Sequence, residues 1–427
     1  MRALANRRFR LLLLTLAGIP ILVQYLQQTL IDPLLNAGYR PGDFDVYLRA
    51  AETLSRGGDP YVAFFAAAVP DPTLNQAYIY PPLLAWLLQP LLALPHHLAV
   101  ALGVLIGQGC LVAFLAATWR ALGTVGLERK ALMVTLVIAF YPVRLNLDGA
   151  QVNLWLLALS GVWLLAWVRG DRWWGGAALG LGIAVKFLQL PSLLLLGWGR
   201  RWRGLAAALI VVAVLWAVAS PQFLGEYWLK VFPQLDAGTG FRENLTPTGT
   251  LYRILSPASF YGPAPVAAMP VRLGALALAV AAGLLTIAEL RRTRGSGGQR
   301  GLEAAAVVAV SPLIATLAWP SHLVLLLLPI LVLVSEGLDR RNQRLLGLVF
   351  TGWLLLGPVH TTLLTAIAAG VANDLLLHVW DEASVAGVAL LWLASLYALR
   401  GGAGREASAT SPALRPLPEP VPGSAHR

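Results

Sequence analysis

The sequence predicts an all-α fold, a polytopic membrane bundle of helices, on three observations. Apolar runs of roughly 15 to 25 residues recur along the chain, the length a helix needs to cross a bilayer. Hydrophobic residues make up 57% of the 427 and charged residues only 12%, with a mean hydropathy of +0.68. The basic residues gather in short clusters between the apolar runs. That clustering decides what the net charge of +11 and the isoelectric point near 10.2 mean. The positive charge reports topology, and no nucleic-acid partner is expected. The single cysteine, Cys110, lies inside an apolar run, which excludes an intrachain disulfide.

In sequence order the candidate spans are 11–30, 78–95, 98–119, 131–147, 151–168, 174–198, 203–220, 271–290, 302–319, 322–336, 344–358 and 383–400. That makes about twelve. The first follows Arg2, Arg7, Arg8 and Arg10 as a signal peptide does, but Gln24, Tyr25, Gln27 and Gln28 supply no small-residue cleavage site. It is expected to stay as an uncleaved helix. Basic clusters at the N-terminus, 200–203, 291–300, 340–344 and 400–405 fall on one side under simple alternation, which makes that side cytoplasmic. The basic loops 120–130 and 169–172 then fall outside, and a re-entrant segment near 78–95 with a break at Lys186 to Pro191 restores the rule. The long connections 31–77, 221–270 and 359–382 all lie on the outer face in this scheme. In the first of them Tyr47, Ala50, Ala51 and Leu54 recur at helical spacing, with Gly57-Gly58 as a stop, so a surface helix is expected. Residues 1–400 read as one integral-membrane unit, and the Gly, Ala, Ser and Pro-rich stretch 401–427 as a disordered cytoplasmic tail.

In a protein this poor in charge, a dense polar patch is a candidate site. The first is Asp43-Phe-Asp45-Val-Tyr47, running on through Arg49 and Glu52 to Gly57-Gly-Asp-Pro-Tyr61. Asp43 and Asp45 are either a solvated pair, with Asp43 capping a helix that starts near Phe44, or the seat of a general base. A carboxylate partly desolvated at the membrane edge gains basicity and suits the removal of a hydroxyl proton. Tyr78-Ile-Tyr80-Pro81-Pro82 marks a helix start with aromatic rings at headgroup depth.

Polar groups inside spans are more pointed: Gly149-Ala-Gln151-Val-Asn153, Lys186, and Ser311-Pro312 followed by Trp319-Pro-Ser-His322. Lys186 sits between the apolar stretches 180–184 and 188–196. A lysine there costs a few kcal/mol unless it is paired, hydrated or snorkelling. Its functional alternative is an anchor for a lipid-linked phosphate. His322 is either an interfacial histidine or a group that orients the base or binds phosphate. In the loop 221–270, the stretch from Phe241 to Arg253 carries Arg242, Asn244, Thr246, Thr248, Thr250 and Arg253, groups suited to sugar hydroxyls and a phosphate. The sequence contains no nucleotide-binding Gly-x-x-x-x-Gly-Lys-Ser/Thr loop, no clustered His/Cys metal site and no Gly-x-Ser-x-Gly elbow. No cofactor is expected, with a divalent metal left open.

Taken in order, Asp43-x-x-x-Tyr47 to Gly57-Gly-Asp-Pro-Tyr61, Tyr78-x-Tyr80-Pro-Pro-Leu83, Gly149-x-Gln151-Val-Asn153, the glycines 176–182 leading to Lys186, Asn244 to Arg253, and Ser311-Pro312 to Trp319-x-x-His322 resemble a known succession. It is that of the polyprenol-phosphate-mannose-dependent mannosyltransferases of glycosyltransferase family 87, in the C-type superfamily of integral-membrane glycosyltransferases. The likeness covers about residues 10–335. It implies C-type architecture and a catalytic base in the first outer loop, the position Asp43 holds. The candidate set is then Asp43 and His322 as catalytic, with Asp45, Tyr47, Tyr80, Gln151, Asn153, Lys186, Asn244, Arg253 and Trp319 as substrate contacts. No metal ligand is among them. The sequence departs from the family's frequent Gly-Gln-Val-Asn run at Gly149-Ala-Gln151-Val-Asn153, and from its frequent paired histidines at Ser321-His322.

The resemblance implies an inverting transfer of a hexose, mannose by family habit, from a polyprenyl-phosphate donor to a glycan or glycolipid acceptor. It places the reaction outside the cytoplasm at a bacterial plasma membrane, with membrane lipids as surroundings. The rival reading is a lipid-linked sugar translocase or a small-solute transporter, since broken helices and an intramembrane lysine occur in carriers too. A non-catalytic assembly subunit would leave Asp43, Lys186 and Arg253 without roles.

Overall fold

The computed structural model describes residues 18–36, 38–66, 77–236, 238–241, 243–255, 269–293, 299–359 and 374–410. Every regular element among them is a helix. Those that build the site are α1 (Gly42–Ser55), α2 (Tyr141–Asp148), α3 (Asn153–Arg169), α4 (Trp173–Val185), α5 (Trp202–Val218), α6 (Pro247–Leu255), α7 (Met269–Arg292), α8 (Pro320–Asp339) and α9 (Asp374–Thr410).

A helix accompanies each expected span within the described residues, but the expected number of crossings is larger than the helix lengths give. Among the described residues four helices are long and apolar enough to cross a membrane, or six if each of two bent pairs is one span, and five shorter apolar helices accompany them. The reason is that backbone breaks cut apolar runs that composition reads as continuous. The run 174–198 breaks at Lys186, whose φ of −163° and ψ of 135° are extended. The run 131–147 bends by 56° just before α2, and α5 turns by 110° into Pro221–Asp236. The segment expected to re-enter is the short Pro82–Ala93 helix. Of the first expected span, 11–17 lie outside the described residues; helix continues from 18 through a π-helical turn at Gln27–Ile31.

α8 forms the centre, where Leu323, Val324 and Leu326 to Val334 are all buried. Helices on the rim show the reverse: α5 exposes Leu209, Ile210 and Val214, and α7 exposes Leu273, Leu276, Leu284 and Leu285. Such apolar outer faces suit contact with lipid, where helix association depends on close packing. α4 meets α5 through small residues. A Cβ on Gly176 would lie 1.8 Å from Gly204 O, and one on Gly180 2.5 Å from Ala208 O, so only glycine lets these backbones approach.

α1 is the surface helix the spacing predicts, burying Phe44, Val46, Tyr47, Ala50, Ala51 and Leu54. It ends before Gly57, which takes a φ of +77°. It starts two residues ahead of Phe44, so Asp43 stands in its first turn and Pro41 takes the N-cap position. At the far end of the sequence α9 runs on to Thr410, and 411–427 lie outside the described residues.

Candidate active site

The turn between α2 and α3 sets the site. α2 ends at Asp148 with Gly149 as its C-cap, and Ala150 follows with a left-handed φ of +44°. Its N–H bonds Leu147 O at 3.1 Å and the Gln151 N–H bonds Asn146 O at 2.8 Å, so the helix end is closed by backbone. Holding a non-glycine residue there costs of order 1–3 kcal/mol. The result is that Gln151 turns back toward α1, and a Cβ on Gly149 would meet Gln151 Cγ at 2.9 Å. The Tyr39 hydroxyl donates to Asp148 O at 2.6 Å and ties the approach to α1 to the same turn.

From this turn a line of hydrogen bonds runs from carboxylate to cation. Gln151 Nε2 donates to Asp43 Oδ2. Asn153 Nδ2 donates to Gln151 Oε1 at 2.7 Å and to Asn146 Oδ1 at 3.0 Å. Asn146 Nδ2 donates in turn to the carbonyls of Pro142 at 2.6 Å and Ser321 at 2.8 Å. Lys186 Nζ donates to Asn153 Oδ1 at 3.0 Å and to the Tyr80 hydroxyl at 3.3 Å, and lies 4.7 Å over the Tyr80 ring. His322 Nε2 is 2.8 Å from Lys186 Nζ, while His322 Nδ1 accepts from the Trp319 N–H at 3.2 Å. The Tyr47 hydroxyl bonds that of Tyr80 at 3.0 Å. Asn146 and Asn153 each donate twice within this network, which fixes the orientation of their amides. Burial pushes the Asp43 carboxyl above the ordinary carboxylate range, against the pull of the Lys186 ammonium and the Gln151 amide.

Lys186, Tyr80, Trp319 and His322 stand in the wall of a cavity of about 340 Å³ whose remaining walls are largely apolar: Phe187, Tyr227, Phe232, Ile314, Leu325 and Leu326. The aim of Lys186 into it comes from the helix break. Gln189, 3% exposed, donates to Leu156 O at 2.8 Å and to Ser160 Oγ at 2.6 Å. Its Oε1 lies 1.7 Å from where a Cβ on Gly182 would sit, so the glycine makes room for the turn.

Of the sequence-predicted residues, the structure brings Asp43, Tyr47, Tyr80, Gln151, Asn153, Lys186, His322 and Trp319 together. It does not bring the others. Asp45, two residues along α1, pairs with His96 at 2.6 Å and lines a separate cleft with Arg49 and Glu52. Arg253, expected beside Lys186 on one phosphate, instead has its guanidinium on Glu382 of α9 at 2.9 Å and on the carbonyls of Phe241 and Asn244. Asn244 clamps its own loop to the approach to Trp319: its Nδ2 donates to Thr239 O at 2.7 Å, and its Oδ1 accepts from the Ala318 N–H at 3.1 Å. Neither residue lines the cavity. Arg242 lies outside the described residues.

Asn146, fully buried, and Gln189 escaped the sequence reading. Both are amides inside apolar runs, the same signal that picked out Gln151 and Asn153. Among the described residues no group of three or more His, Cys, Asp or Glu side chains is placed to hold a metal ion.

The family model described as Glycosyltransferase family 87 matches residues 78–314, which take in Tyr80, Gln151, Asn153 and Lys186 and leave Asp43 and His322 outside. The sequence is 28% identical over 341 residues to the polyprenol-phosphate-mannose-dependent alpha-(1-2)-phosphatidylinositol pentamannoside mannosyltransferase of Mycobacterium tuberculosis, covering 76% of this chain and 73% of that protein. It is 30% identical over 195 residues to an alpha-(1->3)-arabinofuranosyltransferase of the same organism, covering 44% of this chain and 43% of that one.

Proposed function

The chain belongs to glycosyltransferase family 87, and on that premise we propose that it moves a hexose, mannose first among candidates, from a polyprenyl-phosphate donor to a glycan or glycolipid acceptor with inversion. The observation that carries the reading is the hydrogen-bonded line from the Asp43 carboxylate to Lys186 at the head of an apolar cavity. A base and a phosphate anchor are thereby held in one rigid network, and the cavity walls suit a prenyl tail.

In the proposed step Asp43 takes the proton of the acceptor hydroxyl as its oxygen attacks the anomeric carbon. The bond from that carbon to the phosphate oxygen breaks, and the electron pair leaves with the phosphate. Lys186, with the Tyr80 hydroxyl and His322 beside it, steadies the departing dianion. Attack from the face opposite the phosphate turns a β-linked donor into an α-linked product. The mannose choice follows from the donor named for the mycobacterial relative. The same reading gives the protein the architecture of the C-type superfamily with about twelve membrane passes, residues 1–400 forming one membrane unit. It places the site on the outer side of a bacterial plasma membrane.

The test is transfer of label from radiolabelled polyprenyl-phosphate mannose to extracted cell-envelope glycolipids by the full-length protein in proteoliposomes. Labelled acceptor is the expected result. Passage of the labelled donor across the bilayer with no transfer would overturn the reading in favour of a translocase.

A further inference from the structure

A second cavity, of about 260 Å³, shares a wall with the first, formed by Asp236, Ile314, Ala315 and Thr316. Its far side is the outer end of α7, where Arg272 stands in the first turns and Ala275, Leu276 and Ala279 follow along the helix. Arg272 is half-buried and lines this cavity, while its Nε is sealed with no hydrogen-bond partner, a costly state that an anion set against the accessible part of the guanidinium would offset. Leu276 is 59% exposed and Leu273 beside it 58%, so the cavity opens on a face suited to lipid. Across from Arg272, Asp236 is exposed and its Oδ1 accepts from the Thr316 hydroxyl at 3.3 Å.

The groups therefore follow an order. An apolar strip runs along a membrane-length helix, a cation stands at its outer end, and a carboxylate with hydroxyls stands between that cation and the donor cavity. This is the order of an acyl tail, a phosphodiester and a hydroxylated headgroup. A guanidinium suits the phosphodiester, and a carboxylate accepts hydrogen bonds from a polyol. We infer that this cavity is the seat of an anionic glycolipid acceptor, with its phosphate on Arg272 and its sugar directed past Asp236 and Thr316 toward the donor. The role as acceptor seat rests on the glycosyl-transfer reading; the lipid site itself does not.

The experiment titrates the purified full-length protein in detergent with dioctanoyl-phosphatidylinositol, dioctanoyl-phosphatidylmethanol and dioctanoyl-phosphatidylcholine, without donor, and reads affinity by native mass spectrometry. Phosphatidylinositol is expected to bind at least about tenfold tighter than phosphatidylcholine, and Arg272→Gln to weaken it by roughly 10 to 150-fold. Asp236→Asn should weaken phosphatidylinositol and leave phosphatidylmethanol, an anionic diester with no headgroup hydroxyl, unchanged. Leu276→Trp, which fills the apolar end from a lipid-facing position, should give a comparable loss without touching the guanidinium. Affinity for polyprenyl phosphate should survive in Arg272→Gln and Leu276→Trp, neither of which lines the donor cavity, and reports on their folding, as retained phosphatidylmethanol binding does for Asp236→Asn. Equal binding of phosphatidylinositol by wild type and both Arg272→Gln and Leu276→Trp overturns the site, as does equal binding of phosphatidylcholine. Equal binding of phosphatidylmethanol and phosphatidylinositol, with no effect of Asp236→Asn, overturns the sugar-directed part. Wild-type protein that binds phosphatidylinositol but transfers no sugar overturns the transferase reading and the acceptor role with it, leaving the lipid site standing.

Discussion

Replacing Asp43 by asparagine separates chemistry from architecture, because the amide keeps the size of the side chain and can still accept from Gln151 Nε2 through its oxygen. What it loses is the capacity to take a proton. General-base assistance is worth about 10² to 10⁴ in rate, so turnover should fall by about that factor while donor affinity persists. Stability should move the other way. Burial holds the folded carboxyl above its ordinary range, so the folded state binds this proton more tightly than the unfolded state. As pH rises through that range ionisation works against folding, and at neutral pH the charge is a destabilising element. Asp43→Asn removes it, and the thermal midpoint at pH 7 should match or exceed that of wild type. The same shift sets the acid limb of the wild-type rate above the ordinary carboxylate range, since only the ionised form accepts a proton. The assay is single-turnover transfer from labelled polyprenyl-phosphate mannose in nanodiscs between pH 4 and 8, with thermal melting in parallel. A variant with wild-type turnover would refute the base assignment. A midpoint several degrees lower, falling in step with the rate, would mark Asp43 as structural.

Lys186→Met should weaken polyprenyl-phosphate binding by roughly 10 to 150-fold, the loss of one charge-assisted contact, measured by titration with the unglycosylated phosphate; unchanged affinity would place the phosphate elsewhere. Gly182→Ala should drive its new Cβ against Gln189 Oε1 and dislodge the turn that aims Lys186, lowering both thermal midpoint and transfer, and Gly182→Ala with Gln189→Ala should recover part of the midpoint. If the single variant melts and turns over as wild type does, the turn does not aim the lysine. Asp45→Asn should keep turnover within about threefold, because that carboxylate faces His96 and the separate cleft; a loss as large as for Asp43→Asn, read in the same transfer assay, would move the base two residues along α1.

The sequence by itself determined that the protein is helical and apolar, that α1 lies on the surface with Tyr47, Ala50, Ala51 and Leu54 inward, and which polar residues are out of place. Periodicity and composition are local, and a lone lysine or amide in an apolar run is legible wherever the backbone takes it. What the local signals could not carry is partnership. Gln151 and Asn153 sit two residues apart, yet the residues that give them meaning are Asp43 and Lys186, which are brought to them by a left-handed turn at Ala150 and a helix break at Lys186. Asp43 and Asp45 are alike in sequence, and only the rotation of α1 sends one to Gln151 and the other to His96. Arg253 reads as a phosphate ligand until the fold sets Glu382, 129 residues on, beside it. Where an apolar run breaks was likewise beyond composition, because it has the same hydropathy whether its backbone is straight or broken. Tertiary structure decided these points because a charge or amide in an apolar setting takes its role from whichever distant group satisfies it.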